Sequence, residues 1–131
     1  MQLSEHGEVG GPCVSLDGKH LLFVIVRKDG SVVYLTVSTA TGEVESEYPN
    51  PSTTLGLMSW MPDNHSVAVR DTRSGDNLWA LRVLGGGPEK QITHYTTGNV
   101  DFAQYSPDGK WVVMERGANP RNAVLFREAS Q

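Results

Sequence analysis

Ser15-Leu16-Asp17-Gly18-Lys19 is the first of three related turns in this chain. The other two read Met61-Pro62-Asp63-Asn64-His65 and Ser106-Pro107-Asp108-Gly109-Lys110. Their aspartates lie 46 and 45 residues apart along the 131-residue sequence. A repeat of about that length is typical of β-propellers, in which four-stranded blades recur every ~40–45 residues. The three turns therefore predict a repeat protein with one blade for each turn.

The turn predicts aspartates with a structural role. Proline presets the first central position of the turn, an aspartate side chain can bond nearby backbone N–H groups, and glycine tolerates a positive φ. These properties explain the turn without any catalytic chemistry. The residues assigned to this structural role are Asp17, Gly18, Asp63, Asp108 and Gly109.

Each turn is expected to join a short first strand to an apolar second strand. The first strands end three residues before each aspartate, at Val14, Trp60 and Tyr105. The second strands begin with apolar runs at 21–26, 67–69 and 111–114. A continuous apolar run predicts a strand that is covered on both faces. Blades that pack face to face around a ring would supply this cover.

We expect an all-β chain that forms one propeller segment over residues 1–131, with four-stranded antiparallel blades. Blade 1 is predicted at 8–48, blade 2 at 54–93 and blade 3 at 99–127. The polar fourth strands of blades 1 and 2 are typical of an exposed outer edge. Blade 3 ends after its third strand. The spacing of Gln2-Leu3-Ser4 from the first turn predicts that residues 1–6 form a closing outer strand.

Composition excludes several classes of protein. The chain has 38% hydrophobic and 20% charged residues and a formal net charge of −4, which indicates a folded acidic domain. It lacks the basic footprint of a nucleic-acid-binding protein. The longest apolar run, residues 21–26, is far too short to cross a membrane, so no membrane insertion is expected. No export signal is visible at the N-terminus, and the compartment stays open.

The chain resembles the TolB-type β-propeller repeat family, the bacterial relatives of WD-repeat propellers. The resemblance rests on Tyr105-Ser106-Pro107-Asp108-Gly109-Lys110, on Leu78-Trp79 and on residues 85–93, and it extends over about residues 10–127. The segment 91–126 also resembles the last blade of propellers attached to bacterial signalling kinases. The resemblance implies a scaffold of the cell envelope or a sensory appendage, often periplasmic or extracytoplasmic. Leu16 departs from the family turn, as do Met61 and Asn64.

The number of blades does not close a ring. Propellers have typically 4–8 blades, and a three-bladed chain would leave two apolar blade faces bare. Two copies would supply six blades. We therefore expect a two-fold homodimer that forms one six-bladed ring, in which residues 1–6 of each copy complete blade 3 of the other. The alternative is that the chain is a piece of a longer propeller.

Candidate binding residues follow from the propeller architecture. First strands line the central channel, and Ser59, Asp101 and Gln104 are polar residues of predicted first strands. Arg73 and Arg116 lie in or beside predicted loops at the rim. Another protein or a small ligand is the expected partner at the channel, in addition to a second copy of the chain.

No catalytic residue, metal site or cofactor is expected. The sequence has no Gly-x-Ser-x-Gly elbow and no pair of histidines at metal-ligand spacing. Cys13 is the single cysteine and has no basic or histidine neighbour in sequence. Gly85-Gly86-Gly87 precedes Pro88 between two predicted strands, which favours a hairpin turn over a phosphate cradle.

The sequence thus predicts a non-catalytic propeller module for protein–protein interaction or ligand sensing, which self-assembles through its blade faces. Fold alone does not establish function, and part of this prediction rests on the resemblance. Two alternatives stay open. One is an accessory propeller that gates the separate catalytic domain of a serine peptidase. The other is a purely structural fragment whose activity is self-assembly.

Overall fold

Short strands and tight turns build the fold. The computed structural model describes residues 8–9, 12–51, 53–117 and 122–127, and these contain strands and turns without a helix. The strands are β1 (Glu8–Val9), β2 (Cys13–Val14), β3 (His20–Val26), β4 (Val32–Ser38), β5 (Val44–Pro49), β6 (Thr54–Trp60), β7 (Ser66–Asp71), β8 (Asn77–Arg82), β9 (Lys90–Gln91), β10 (Asn99–Tyr105), β11 (Trp111–Gly117) and β12 (Asn122–Arg127).

The strands of the described residues form three antiparallel sheets, each in up-and-down order. In the first sheet, β1 and β2 both pair with β3, so together they occupy the place of one first strand ahead of β4 and β5. The second sheet has the order β6-β7-β8-β9, and the third has the order β10-β11-β12. The all-β, antiparallel prediction is confirmed. The closing strand predicted over residues 1–6 lies outside the described residues.

Aspartate side chains hold the repeat turns. Asp17 Oδ1 accepts hydrogen bonds from Ser15 Oγ at 2.6 Å and from the Lys19 N–H at 3.0 Å. Asp108 makes the same two bonds to the equivalent residues of the third turn, at the same distances. These hydrogen bonds lower the pKa of both carboxyl groups, because they favour the ionised form.

A left-handed residue follows each turn aspartate. Gly18 has a φ of 74°, Gly109 has a φ of 75°, and Asn64 takes the same place in the second turn with a φ of 59°. Asparagine is one of the few residues that tolerates this region. The Asn64 side chain then bonds the preceding blade, because its Oδ1 accepts a hydrogen bond from the Asp17 N–H at 2.9 Å.

Two apolar clusters hold the three sheets face to face. Leu22 and Tyr34 of the first sheet pack with Trp60, Val67 and Leu81 of the second. The second and third sheets meet through another cluster, which contains Ala68, Leu78, Val100, Ala103, Tyr105, Val112 and Met114. Burying one Val or Leu side chain fully contributes about 1.5–3 kcal/mol, so these clusters dominate the attachment of one sheet to the next.

The second strands of the three sheets differ in their cover. Val67, Ala68 and Val69 of β7 are all fully buried, as the apolar run predicts. In β11, Val112 is buried but Val113 is 45% exposed, because within the described residues the third sheet has a neighbouring sheet on one face. The first sheet also has a neighbouring sheet on one face, yet Ile25, Leu35 and Val37 on its outer face are 2–4% exposed, so the expectation of a bare apolar face is wrong for the middle of blade 1.

Candidate functional site

A pocket of about 220 Å³ lies where the ends of three first strands converge. We name it the first-strand pocket. Its lining residues come from β2, β6, β10 and the first turn, and they are Cys13, Val14, Leu16, Ser59, Trp60, Gln104 and Tyr105. The lining of the pocket is thus mainly apolar and includes a small number of polar groups.

The polar groups of the first-strand pocket differ in their bonding. Ser59 Oγ is buried and has no hydrogen-bond partner among the described residues, while Gln104 is exposed. The indole Nε1 of Trp60 donates a hydrogen bond to the Cys13 carbonyl oxygen at 2.9 Å. Burial raises the pKa of the Cys13 thiol, which keeps it in the unreactive protonated form. The pocket therefore offers an unpaired hydroxyl and an amide to a ligand, and it lacks an activated nucleophile.

A second pocket, of about 540 Å³, lies at the opposite end of blade 1 from the aspartate turn. We name it the hairpin pocket, because the β3–β4 hairpin and the link from β5 to β6 line it. The lining residues are Arg27, Gly30, Ser31, Val32, Val33, Pro49, Asn50, Pro51 and Thr54. Asn50 Oδ1 is buried there without a hydrogen-bond partner among the described residues.

Solved structures with the same arrangement of sheets are known. A TolB structure from Agrobacterium tumefaciens has a TM-score of 0.71 to this chain at 19% sequence identity, over 95% of this chain and 47% of that one. This chain has the TolB-type β-propeller fold. TolB from Acinetobacter baumannii has a TM-score of 0.68 at 19% identity, over 90% of this chain and 29% of its own. The fold expected from the resemblance is confirmed, and the chain spans less than half of either TolB chain.

One curated human protein also shares sequence with the propeller segment. The guanine nucleotide exchange factor subunit RIC1 is 31% identical over 85 residues, which cover 56% of this chain and 6% of RIC1. No family model matches the chain. The similarity is therefore local in both proteins, and this chain spans a small fraction of the length of RIC1.

The propeller architecture locates the predicted channel residues. Ser59 and Gln104 lie together in the first-strand pocket, near the ends of β6 and β10. Asp101 lies near the other end of β10, with its carboxylate against Gly117, where an added Cβ would be 3.0 Å from the Asp101 Cγ. The structure therefore brings two of the three predicted channel residues to one pocket and leaves Asp101 elsewhere.

Arg73 lies in a network that ties blade 1 to blade 2. Its Nη2 is 2.8 Å from Asp71 Oδ2, its Nη1 pairs with Glu89, and its guanidinium lies 4.1 Å above the centre of the Trp79 ring. Tyr48 of blade 1 donates a hydrogen bond from its hydroxyl to Glu89 Oε2 at 2.8 Å. Arg73 is thus held by intrachain partners at the blade junction.

Arg116 is held in the same manner between blades 2 and 3. Its guanidinium lies 3.5 Å from the centre of the Tyr95 ring, and its Nη2 donates a hydrogen bond to the Thr97 carbonyl oxygen. Tyr95 and Thr97 belong to the link between the two blades. Neither predicted rim arginine lines the two pockets described above.

The Asp71 carboxylate is expected to make the free energy of unfolding depend on pH in the acid range. Burial acts to raise its pKa, but the hydrogen bonds from Arg73 and from neighbouring threonines outweigh burial and lower the pKa from 3.8 to about 2. Because the folded pKa lies below the unfolded one, Asp71 stabilises the fold above about pH 4, and this contribution is lost as the pH falls towards 2. We expect this loss to be about 2 kcal/mol.

Urea unfolding between pH 5 and pH 2 measures this contribution. The Asp71→Asn variant keeps the shape of the side chain and cannot titrate, so its free energy of unfolding should be lower at pH 5 and should fall less steeply with acid. Parallel pH profiles for the wild type and Asp71→Asn would contradict this role of Asp71.

Sequence reasoning missed part of both pockets. Val14 and Leu16 are 52% and 46% exposed beside Ser59 and Gln104. The signal for Leu16 was present, because it replaces the proline of the other two turns. The hairpin pocket had no sequence signal, because its walls come from separate segments that carry no motif.

The described residues contain neither a metal-binding cluster nor a membrane-spanning helix. No group of three or more His, Cys, Asp or Glu side chains there could hold a metal ion. In the same residues, no helix has the length and apolar character needed to cross a membrane.

Proposed function

We propose that this chain is a non-catalytic propeller module for protein–protein interaction, and that it completes its ring by pairing with a second copy through its outer blade faces. The observation that carries this proposal is a contrast between equivalent repeat positions. Several positions that are buried inside the blade interfaces are exposed at the two ends of the three-blade array, while Ile25, Leu35 and Val37 in the middle of the outer face of blade 1 are buried within the chain.

The first contrast lies on the face that each blade turns to the following blade. Leu22, Ala68 and Val113 each lie five residues after the turn aspartate of their blade. Leu22 and Ala68 are 0% exposed, whereas Val113 is 45% exposed. The same place in the repeat is thus covered in blades 1 and 2 and bare in blade 3. Phe102 and Trp111 are also exposed in blade 3, at 45% and 36%.

The second contrast lies on the face that each blade turns to the preceding blade. Val14, Trp60 and Tyr105 all lie three residues before the turn aspartate. Trp60 and Tyr105 are 2% and 3% exposed, while Val14 is 52% exposed. Blade 1 therefore offers the kind of face that blade 3 lacks as a neighbour. In each interface within the chain, the Val113-equivalent face of one blade packs on the Val14-equivalent face of the next. The outer ends of blades 3 and 1 are the same pair of faces.

The turns repeat this contrast. A Cβ atom on Gly109 of the third turn would lie 2.7 Å from Pro62 Cβ of the second turn, so adjacent turns are in close contact. At Gly18 of the first turn, no atom of the described residues lies within 4 Å of the same point. In our proposal, Pro107 of the second copy fills this space.

Two copies joined in this way give six blades, which is within the range of closed propellers. The two-fold axis makes the two seams identical, each pairing blade 3 of one copy with blade 1 of the other. We propose that residues 1–6 of each copy supply the fourth strand of blade 3 in the other. In the described residues, β12 takes the place next to that strand.

The first-strand pocket is the proposed recognition site of the ring. It combines the apolar Leu16 side chain with the Ser59 hydroxyl and the Gln104 amide, while Val14, which also lines the pocket of the single chain, is assigned to the seam. This composition suits a protein segment or a small ligand that is largely apolar and carries hydrogen-bonding groups. Because Ser59 Oγ has no hydrogen-bond partner among the described residues, the pocket supports binding rather than nucleophilic catalysis.

Site-specific cross-linking tests the proposed seam. Trp60 stacks on His20 of the preceding blade with 6.1 Å between ring centroids. The repeat equivalents of this pair at the seam are Val14 of one copy and Trp111 of the other. We expect a Val14→Cys/Trp111→Cys variant, built on Cys13→Ser, to form a covalent dimer with a short bismaleimide reagent.

Three controls make the cross-link specific. Each single-cysteine variant measures links between identical positions, and Val26→Cys/Trp111→Cys tests an exposed valine on the face of blade 1 that is turned to blade 2. The seam is supported if the Val14→Cys/Trp111→Cys variant gives a covalent dimer several times faster than all three controls. Equal rates, or a product that runs as a monomer on a denaturing gel, would overturn it.

A further inference from the structure

The hairpin pocket is independent of ring closure, because one chain supplies all of its lining residues. It lies at the end of blade 1 where β3 passes into β4 and where β5 leads to β6. Its volume of about 540 Å³ is within the range of small-ligand sites, which run from ~300 to 1,000 Å³. Three features of this pocket define the chemistry of a ligand.

The first feature is a buried hydrogen-bond acceptor. Asn50 donates its backbone N–H to the Val32 carbonyl oxygen at 2.9 Å, which holds the residue beside the first residue of β4. Its side-chain Oδ1 is buried without a partner among the described residues. A buried acceptor without a donor costs free energy, so a ligand that brings an N–H group gains affinity by pairing with it.

The second feature is a cation with spare donors. Arg27 Nη2 lies 3.3 Å from Glu47 Oε2, and both side chains are about half exposed. An exposed ion pair of this kind contributes little stability, and a guanidinium has five N–H donors. Arg27 can therefore donate hydrogen bonds to a second carboxylate, and losing its exposed pair with Glu47 would cost little stability.

The third feature is an apolar wall. Val32 and Val33 begin β4, and Pro49 and Pro51 flank Asn50 on the neighbouring segment. Prolines lack the backbone N–H, so this wall offers apolar contact and few polar donors. An aliphatic side chain of a ligand can be buried against it.

We propose that the hairpin pocket binds the carboxyl-terminal residue of a peptide, or a free N-acyl amino acid, with an apolar side chain. Its carboxylate pairs with Arg27, its amide N–H donates to Asn50 Oδ1, and its side chain packs on the Val–Pro wall. An acylated amine supplies the N–H donor without placing a positive charge beside Arg27. The pocket has room for the last two or three residues of a peptide.

Isothermal titration calorimetry with the tripeptide acetyl-Ala-Ala-Leu tests this proposal by measuring its dissociation constant for the full chain. We expect the free acid to bind about tenfold more tightly than the same peptide with a terminal amide, which cannot form the charged pair with Arg27. Arg27→Gln should weaken binding of the acid by a similar factor and leave binding of the amide unchanged. Lys28→Gln is the matched control, since Lys28 is the adjacent cation and does not line the pocket.

Two further results decide the source and the validity of the site. N-acetyl-leucine that binds as tightly as the tripeptide would identify a free N-acyl amino acid, and weaker binding would identify a protein C-terminus. Equal affinity for the acid and the amide, an equal loss in Lys28→Gln, or no saturable binding would overturn the proposal. Both substitutions are in an exposed hairpin, so both variants are expected to fold. Melting curves test this expectation.

Discussion

Replacing Trp60 with alanine is expected to lower the free energy of unfolding by about 3–5 kcal/mol. The Trp60 ring is 2% exposed and belongs to the cluster between blades 1 and 2, together with Leu22 and Tyr34. Its Nε1 also bonds the Cys13 carbonyl oxygen, and its ring stacks on His20. The substitution therefore opens a cavity and removes the contact that joins the first strands of two blades. A domain of this size is typically stable by about 5–15 kcal/mol, so the loss is a large share of the total.

The conservative variant Trp60→Phe separates these effects. It keeps most of the ring in the cluster but cannot donate to Cys13, so a loss of about 1–3 kcal/mol is expected, the usual cost of a buried carbonyl without its donor. Urea unfolding at one fixed protein concentration is the appropriate measurement, because assembly makes apparent stability depend on concentration. A loss below about 1 kcal/mol in Trp60→Ala would contradict the packing of blade 1 on blade 2 through this residue.

Replacing Val113 with aspartate is expected to raise the dissociation constant of the dimer about a hundredfold or more. In the proposed ring, Val113 is covered by blade 1 of the second copy, as Leu22 and Ala68 are covered within the chain. A carboxylate placed there would be buried in an apolar seam without a partner, which is costly. The isolated chain should stay folded, because Val113 is already 45% exposed in it.

Val26→Asp is the matched control for this substitution. Val26 is also an exposed strand valine, at 36%, but the register of β3 and β4 puts it on the face of blade 1 that is turned to blade 2, away from both outer faces. Sedimentation over a range of concentrations should show dissociation for Val113→Asp and a wild-type constant for Val26→Asp. Equal effects of the two substitutions would indicate that charge alone, and not the seam, controls assembly.

Much of the fold was predictable because the repeat is written in local sequence. The turn aspartates and the left-handed residues after them need only their own neighbours, so the spacing of the turns locates each first strand. The burial of Val67–Val69 and the exposure of Val113 were predictable from the apolar runs and the number of blades, whereas the burial of Ile25 on the outer face of blade 1 was not. Apolar character indicates that a residue needs cover, but the position of a blade in the array decides whether the same chain supplies it.

The site was less predictable than the fold. Strand order alone placed Ser59 and Gln104 near one another, but the strand register put Asp101 at the other end of β10. Arg73 was predicted as a binding residue at the rim, and the structure shows it paired within the chain. Its partner Asp71 lies at the end of β7, in the β7–β8 hairpin, and its partner Glu89 directly precedes β9. The hairpin pocket depends on Asn50 meeting residues from another hairpin, a juxtaposition that no sequence pattern records.

The mass of the wild-type chain in solution tests the central claim most directly. Light scattering after gel filtration gives this mass without assumptions about shape. Our account predicts a mass near twice the 14.3 kDa of the chain, because two three-blade arrays close one six-bladed ring. A stable monomer of 14.3 kDa over the whole concentration range would contradict it, because Val14 of blade 1 and Val113 of blade 3 would then stay exposed to water.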